Sequence, residues 1–452
     1  MTTESRPAAT PTYILRGHVA PIHALQIFSN NLRLASGDAE GWIVIWDLIF
    51  KRPVAVWKAH EGAVLEVKAF TLSTGRVTEI YTHGRDHKLR LWRIRAQDEE
   101  VLGKVLPVDA IQGQSKSQAQ SQPWLVHSLM VNALNFCAFS MLFLPQSENP
   151  TLANEDGETG DVPPSASLVA VPNALDSGAI DLFHLPSERR VCTIPPNPSV
   201  KTGMVMAVRL VRRSSLNADG TGDGDLYVAS AYEDGHVMVF ACPGFLSASS
   251  SFTANPTHTT KQPKWETLYL SRPHTQPALS IDVAPSGEYF LSSSADANLV
   301  KHPIPILTSS SSSTREMPLK SVNTKHAGQQ GLRVRSDGKI FATAGWDSRV
   351  RVYSVKTMKE LAVLKWHKEG CYAVAFGEIL NLDSATSDTN GVLGEEEQQQ
   401  EQEDENERRI IHQPKEQYSL AQVQRQRNLK VQNTHWLVAG SKDGKISLWD
   451  IY

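Results

Sequence analysis

The chain has 452 residues, 40% of them hydrophobic and 21% charged, with a net charge of −3. That composition supplies a core and excludes nucleic-acid binding through a global basic field. Its four cysteines (Cys137, Cys192, Cys242 and Cys371) stand far apart with no CxxC pair, so neither a zinc site nor a disulfide framework is indicated.

Residues 1–10 read as a loose tail without an apolar signal core. Thr12–Arg16 is a short β-prone run that leads into Gly17-His18. Ile22–Phe28 and Leu32–Ser36 then alternate as strands, and a tight turn feeds a third strand ending in Trp46-Asp47. One unit thus reads: His, strand, strand ending in Ser, acidic turn, strand ending in Trp-Asp. The second unit runs from His60 to Trp92 and the third from near His127 to Phe183. The fourth ends at Phe240, and the fifth starts at His274. The sixth ends at Tyr353, and the seventh runs from His367 to Trp449. The apolar run Leu134–Leu144 is too short to span a bilayer and reads as buried strand.

The spacing is the check. Asp86, Asp234, Asp296, Asp347 and Asp443 each stand six residues before the position equivalent to Trp46. That position is aromatic at Trp92, Phe240, Tyr353 and Trp449, but holds His302 in the fifth unit. The acidic slot holds Glu40 in the first unit and Ser177 in the third. Four residues before the slot stand Ser36, Thr82, Ser230, Ser292 and Thr343, with Ala439 in the seventh unit. A turn Asp can accept hydrogen bonds from turn amides and from a His on the neighbouring loop. That His can reach a strand hydroxyl, which in turn accepts from a Trp indole, and such a chain stabilises only when every member is satisfied. The two nearest-complete sets are His18, Ser36, Glu40, Trp46 and His60, Thr82, Asp86, Trp92.

Repeats of about 40–60 residues with this grammar resemble the WD-repeat family, whose fold is a β-propeller of four-stranded blades. The expectation is all-β: seven blades forming one domain over residues 11–452. The last blade lacks a strand and the first His is preceded by a spare one, so the N-terminal strand should close the ring. Insertions near 145–164, 247–264, 308–314 and 379–433 are low in complexity and are expected to be disordered. The last contains an acidic stretch, 395–407, which reads either as a solvated spacer or as a lure for basic partners.

Catalytic grammar is missing from the sequence: there is no HExxH, GxSxG or GxGxxG. Gly440–Ile446 reads as a hairpin turn rather than a phosphate loop. Asp219–Asp225 lacks the ligand ladder of a calcium loop. No catalytic residue, cofactor or metal is expected. Arg85, His87, Lys88, Arg90, Arg93 and Arg95 make a local basic patch that reads as surface salt-bridging.

Several stretches carry a narrower likeness: Pro11–His18; Ser36–Leu48 with Lys51-Arg52-Pro53 and Trp57-Lys58-Ala59-His60; Thr82–Leu89; and Ala344–Tyr353 continuing to Lys365–Phe376. Together they are similar to the fungal ASTRA-associated WD-repeat family, whose animal relative is a G-protein β-subunit-like protein. The likeness implies a subunit of the ASTRA assembly linked to chromatin remodelling, with the nucleus as its compartment and the cytoplasm as a second one. It further implies contact with a phosphatidylinositol-3-kinase-related kinase, with the co-chaperone subunits that mature such kinases, and with AAA+ ATPases. Glu40 departs from the family's usual Asp. The reading is a non-enzymatic scaffold, with Lys51, Arg52, Trp57, Trp346 and Arg349 as candidate partner contacts; for the two Trp residues, packing between blades is the competing reading. The alternative is a peptide-reading substrate receptor, a histone-tail reader or ubiquitin-ligase adaptor, working at the channel mouth.

Overall fold

The structure, a computed structural model, describes residues 9–72, 75–111, 121–132, 136–144, 165–214, 224–253, 263–307, 314–380 and 420–451. Strand β1 (Tyr13–Arg16) precedes the first blade, which holds β2 (Ile22–Phe28), β3 (Arg33–Asp38), β4 (Trp42–Asp47) and β5 (Arg52–Lys58). Blade 2 holds β6 (Val64–Thr71), β7 (Val77–Gly84), β8 (Lys88–Arg95) and β9 (Trp124–Met130). Blade 3 holds β10 (Ser140–Phe143), β11 (Ser167–Pro172), β12 (Ile180–Leu185) and β13 (Arg189–Ile194). Blade 4 holds β14 (Val205–Ser214), β15 (Gly224–Tyr232), β16 (Val237–Cys242) and β17 (Glu266–Ser271). Blade 5 holds β18 (Ala278–Val283), β19 (Tyr289–Ser294), β20 (Asn298–Pro303) and β21 (Lys320–Asn323). Blade 6 holds β22 (Gln329–Val334), β23 (Ile340–Gly345), β24 (Arg349–Ser354) and β25 (Glu360–Lys365). Blade 7 holds β26 (Cys371–Phe376), β27 (Trp436–Ser441) and β28 (Lys445–Asp450), and β1 is its fourth strand.

Each blade is an antiparallel sheet, and the ring is a seven-bladed propeller. Tyr13 pairs opposite Leu448 and Arg16 opposite Lys445, so the N-terminal strand closes the ring as expected and leaves β28 no free edge. Apolar faces of neighbouring blades form the core. Ile43, Ile45 and Trp57 of blade 1, for example, pack with Val67, Ile80 and Trp92 of blade 2.

The strand order gives the ring two unlike rims. Connections entering each inner strand, and turns between second and third strands, share the upper rim. Connections leaving inner strands, and those between third and fourth strands, share the lower rim. Residues 1–8, 73–74, 112–120, 133–135, 145–164, 215–223, 254–262, 308–313, 381–419 and 452 lie outside the description. The upper rim is built mostly from short turns.

Several expectations need correction. His127 does not open a blade: it lies in β9 and its Nδ1 is 2.7 Å from Glu188. The connection after β8 is long, which delays the outer strand of blade 2 past residue 123. Part of that connection, residues 96–111, folds back on blade 1, where Val56 N donates to Gly103 O at 2.7 Å and Arg33 meets Glu99 at 3.0 Å. Among the described residues of the run Leu134–Leu144 only Ser140–Phe143 is strand, and Phe136 is 55% exposed on the loop before it.

Two segments expected to be disordered are partly ordered. Leu246–Thr253 is a 3-10 turn whose Phe252 is buried beside Phe245, ring centroids 5.2 Å apart. Leu420–Asn433 is a helix, tied down by buried Val431 and by Asn31 Nδ2 donating to Gln432 O at 2.9 Å. Buried apolar side chains anchor each segment, Leu246 and Phe252 in the first and Val431 in the second, which composition over a long window conceals. The acidic stretch 395–407 and residues 219–223 lie outside the described residues.

Candidate interaction surface

The hydrogen-bond relay is complete in blades 1, 2 and 5 and runs from His367 to Trp449 in blade 7; in blades 1, 5 and 7 it is wired differently from its sequence pattern. Blade 2 matches the pattern. His60 Nδ1 meets Asp86 at 2.8 Å, His60 Nε2 meets Thr82 Oγ1 at 2.8 Å, and Trp92 Nε1 donates to Thr82 at 2.9 Å. The hydrogen bond from His60 and the charges of His60 and Arg90 outweigh burial and hold the Asp86 carboxyl down at about 2.

In blade 1 the acid is Asp38, not Glu40. His18 Nδ1 lies 2.7 Å from Asp38, His18 Nε2 lies 2.8 Å from Ser36, and Trp46 Nε1 donates to Ser36 at 2.9 Å. Asp38 Oδ1 also accepts from the turn amides of Glu40 and Trp42, both at 3.0 Å, while Glu40 itself is exposed. Gly41, at φ +91°, completes this turn, since a Cβ there would stand 1.8 Å from the carbonyl oxygen of His60.

In blade 7 the hydroxyl absent at Ala439 comes from Ser447, directly across the ladder from it. Ser447 lies 2.8 Å from His367 Nε2 and accepts from Trp449 Nε1 at 2.8 Å, with Asp443 3.5 Å from His367 Nδ1. In blade 5, His302 replaces the Trp and extends the relay. Asp296, His274, Ser292, His302 and the Tyr269 hydroxyl follow one another at 3.2, 2.7, 2.7 and 2.8 Å. Burial drives the His302 imidazole well below its ordinary range, so it serves as a neutral link.

Blades 4 and 6 do not form the predicted relay. Ser230 donates to Tyr232 at 3.2 Å, and Asp234 pairs with His236 at 2.6 Å. Asp347 is taken by Arg351 through bonds of 2.6 and 3.1 Å, and His326 stands 3.9 Å away, which leaves Thr343 outside any relay. In blade 3 buried Asn173 occupies the hydroxyl position and donates to Asp181 at 2.9 Å. The cysteines are all buried, and burial raises their thiols to about 11 or 12, so none is a reactive thiolate. Among the described residues no cluster of His, Cys, Asp and Glu could hold a metal ion.

Sequence reasoning placed its alternative reading at the channel mouth but named only Trp346 of the residues that form it. Six of the seven inner strands shift register at the same place, between Ile22 and Ala24, Val64 and Glu66, Val205 and Ala207, Ala278 and Ser280, Gln329 and Gly331, and Cys371 and Ala373. The bulged residue has no partner across the ladder and its side chain is re-aimed. His23, Leu65, Met206, Leu279, Gln330 and Tyr372 therefore form an upper ring, and all six line one cavity of about 330 Å³. His23 stacks flat on Tyr372, ring centroids 5.3 Å apart, and burial lowers its pKa.

Two apolar side chains rise from this ring. Trp346 is 48% exposed, yet fixed: its Nε1 donates to Gln330 at 2.7 Å. Its ring also covers Gly328, where a Cβ would approach to 2.2 Å. Phe136 carries the Arg85 guanidinium over its face at 4.6 Å.

Three residues below the ring the inner strands present Gln26, Lys68, Arg209, Asp282, Arg333 and Ala375. Arg333 pairs with Glu66 at 2.9 Å, Lys68 stands 3.9 Å from Glu66, and Arg209 meets Asp282 at 3.3 Å. Burial alone would raise the Glu66 carboxyl, but Lys68, Arg333 and Arg209 outweigh it and hold it low; burial lowers Lys68.

The five candidate contact residues do not share one surface. Trp346 and Arg349 flank one upper-rim turn of blade 6. Lys51 and Arg52 sit at the lower rim of blade 1. There Lys51 donates to Leu48 O and lies 5.0 Å over the Trp436 ring, so it is already engaged, while Arg52 is exposed. Trp57 is 2% exposed and packs edge-on against Trp92 at 5.8 Å, which settles it as an inter-blade residue. The basic patch is largely internal pairing, Arg90 with Asp86 at 3.1 Å and Arg93 with Glu79 at 3.0 Å.

A family profile described as ASTRA-associated protein 1 matches residues 11–449, which spans the whole propeller just described. The chain belongs to the ASTRA-associated protein 1 family. It is similar to the ASTRA-associated protein 1 of Aspergillus niger, at 60% identity over 99% of this chain and 98% of the relative. It is 38% identical to that of Pyricularia oryzae over the full length of both, and 32% identical to that of Schizosaccharomyces pombe over 81% of this chain and 93% of the relative. The WD-repeat resemblance and the family resemblance seen in the sequence are both met by these matches and by the seven blades.

Proposed function

We propose that this chain is a non-catalytic scaffold subunit of the ASTRA assembly. The observation that carries the reading is the match along the whole propeller to a family named for association with ASTRA. The buried Asp, His and Ser residues of the blade relays support it, because they are occupied with holding blades together. In this role the chain contributes to chromatin remodelling or organisation and to maturation of phosphatidylinositol-3-kinase-related kinases. Its partners are a kinase of that class, co-chaperone subunits and AAA+ ATPases, and it works in the nucleus. Affinity purification from nuclear extract tests this. Recovery of the kinase and co-chaperone subunits is the expected result, and recovery of ubiquitin-ligase subunits or histones alone would overturn it. Fluorescence imaging of the tagged chain tests the compartment.

A second reading, the peptide-reading receptor, is favoured by one observation: the rigid, half-exposed Trp346 above an apolar ring. A basic histone tail is a poor fit, since cations outnumber carboxylates below that ring.

A further inference from the structure

We propose that the upper mouth of the central channel captures an extended, acidic segment of a partner protein, seating an apolar side chain on the rim and a carboxylate on the cations beneath. The inference deepens the scaffold reading and rests on it. The cavity is continuous from rim to charged layer: Trp346, Phe136, Arg209 and Arg333 all line it. The rim offers what a binding hot spot requires, a large aromatic held in one orientation with half its surface left open. Trp346 is held by Gln330 and by Gly328, so little rotamer freedom remains for a ligand to remove.

Charge selects the ligand's second feature. Lys68, Arg209 and Arg333 face Glu66 and Asp282, three cations against two carboxylates, which leaves one positive charge unbalanced. One Asp282 oxygen is further occupied by the Val334 amide at 2.8 Å. The guanidiniums retain unused donors. Arg209 spends Nε on Asp282 and Nη1 on Val208 O, and Arg333 spends Nη1 on Leu332 O and Nη2 on Glu66. Nη2 of Arg209 and Nε of Arg333 thus have no protein acceptor among the described residues. In a low-dielectric channel a carboxylate that reaches these donors gains charge-assisted hydrogen bonds, whereas a Lys or Arg side chain meets repulsion.

The test uses the full chain and a fluorescein-labelled probe peptide, Gly-Gly-Phe-Glu-Asp-Leu-Gly-Gly with blocked ends, read by anisotropy. Two further probes replace the Glu-Asp pair by Gln-Asn and by Lys-Lys. The expected order is acidic, then amide, then basic, with about tenfold or more between the acidic and basic probes and weakening in salt. Trp346→Ala and Phe136→Ala, both at exposed rim positions, should weaken the acidic probe about tenfold while leaving the unfolding midpoint near that of the parent. Equal binding of the three probes, tighter binding of the basic one, no binding of any, or indifference to both rim variants would each overturn the proposal. Nuclear affinity purification runs in parallel. Kinase and co-chaperone recovery without peptide binding would sink this inference alone; loss of those partners would sink the scaffold reading beneath it.

Discussion

Replacing Asp38 by Ala should destabilise the ring, and replacing Glu40 by Ala should not. Asp38 is fully buried and accepts from three donors: His18 Nδ1 at 2.7 Å and the amides of Glu40 and Trp42 at 3.0 Å each. A buried donor stripped of its acceptor costs about 1–3 kcal/mol. The imidazole, being enclosed, bears that cost in full; the two turn amides lie at the rim, where water can replace part of what they lose. The net loss is roughly 3 kcal/mol. Glu40 is exposed, and among the described residues nothing hydrogen-bonds to its carboxylate, so its loss should change stability by less than about 0.5 kcal/mol. Urea unfolding followed by tryptophan fluorescence measures both. Asp38→Ala should lower the midpoint at an unchanged slope. An equal drop for Glu40→Ala would show that the acid of blade 1 has been assigned to the wrong residue.

Ser447→Ala should cost about 2 kcal/mol, because it strands both His367 Nε2 and the Trp449 indole. Adding Ala439→Ser opposite it should recover part of that loss in the same urea assay, and a double variant no better than the single would argue against cross-strand substitution. Deleting residues 1–16 removes the strand paired with β28, and should lower the melting temperature and produce concentration-dependent association by light scattering. A monomeric deletion variant with the parent's melting temperature would contradict closure. Acid should destabilise the fold through His83, which is enclosed with neither ring nitrogen bonded and held at about 3, chiefly by burial. The sign follows from linkage: the unfolded chain takes up the proton near 6.5 and the folded chain does not, so stability is lost as pH falls through that interval. At pH 5.5 the loss from this residue is about 1.4 kcal/mol, and His83→Leu should flatten the stability profile between pH 7 and 5.

The ring and its closure were legible because they rest on patterns that recur at fixed spacing: strand alternation, turn residues and the terminal strand left unpaired. Residues that answer to register were not. Ser447 replaces the hydroxyl missing at Ala439 because the two face each other across a ladder, and a linear comparison of positions cannot see across strands. Asp38 replaces Glu40 because it sits where the β3 strand ends, two residues early, within reach of both His18 and the turn. His302 looked like a defect in the aromatic column; beside Tyr269 it becomes a further link. The channel ring was hidden for another reason. His23 and Gln330 stand thirteen residues before their blade's hydroxyl, while Met206 stands twenty-four before Ser230. Lower-rim connections of unequal length fall between, so residues that share one level of the channel do not all share one spacing in the chain.

The distribution of relays bears on how the mouth works. Blades 1, 2 and 5 each fix an upper-rim loop through a His held at both ring nitrogens, blade 7 does so through His367 Nε2 alone with Asp443 3.5 Å from Nδ1, and His60 further seats its carbonyl against Gly41 of the blade before. Blades 3, 4 and 6 lack that tie, and it is these that bring the exposed Phe136, Met206 and the exposed Trp346 to the mouth. A rim turn tied into a relay has its polar groups turned inward and its shape set by the neighbouring blade. A turn freed of that duty can carry a large apolar side chain outward, provided something else holds it. At Trp346 that support comes from Gln330 and Gly328, both in blade 6 or on the loop entering it. The departures from the repeat pattern are therefore where a binding surface could be built without loosening the ring, and the relays of blades 1, 2, 5 and 7 are what keep that surface in place.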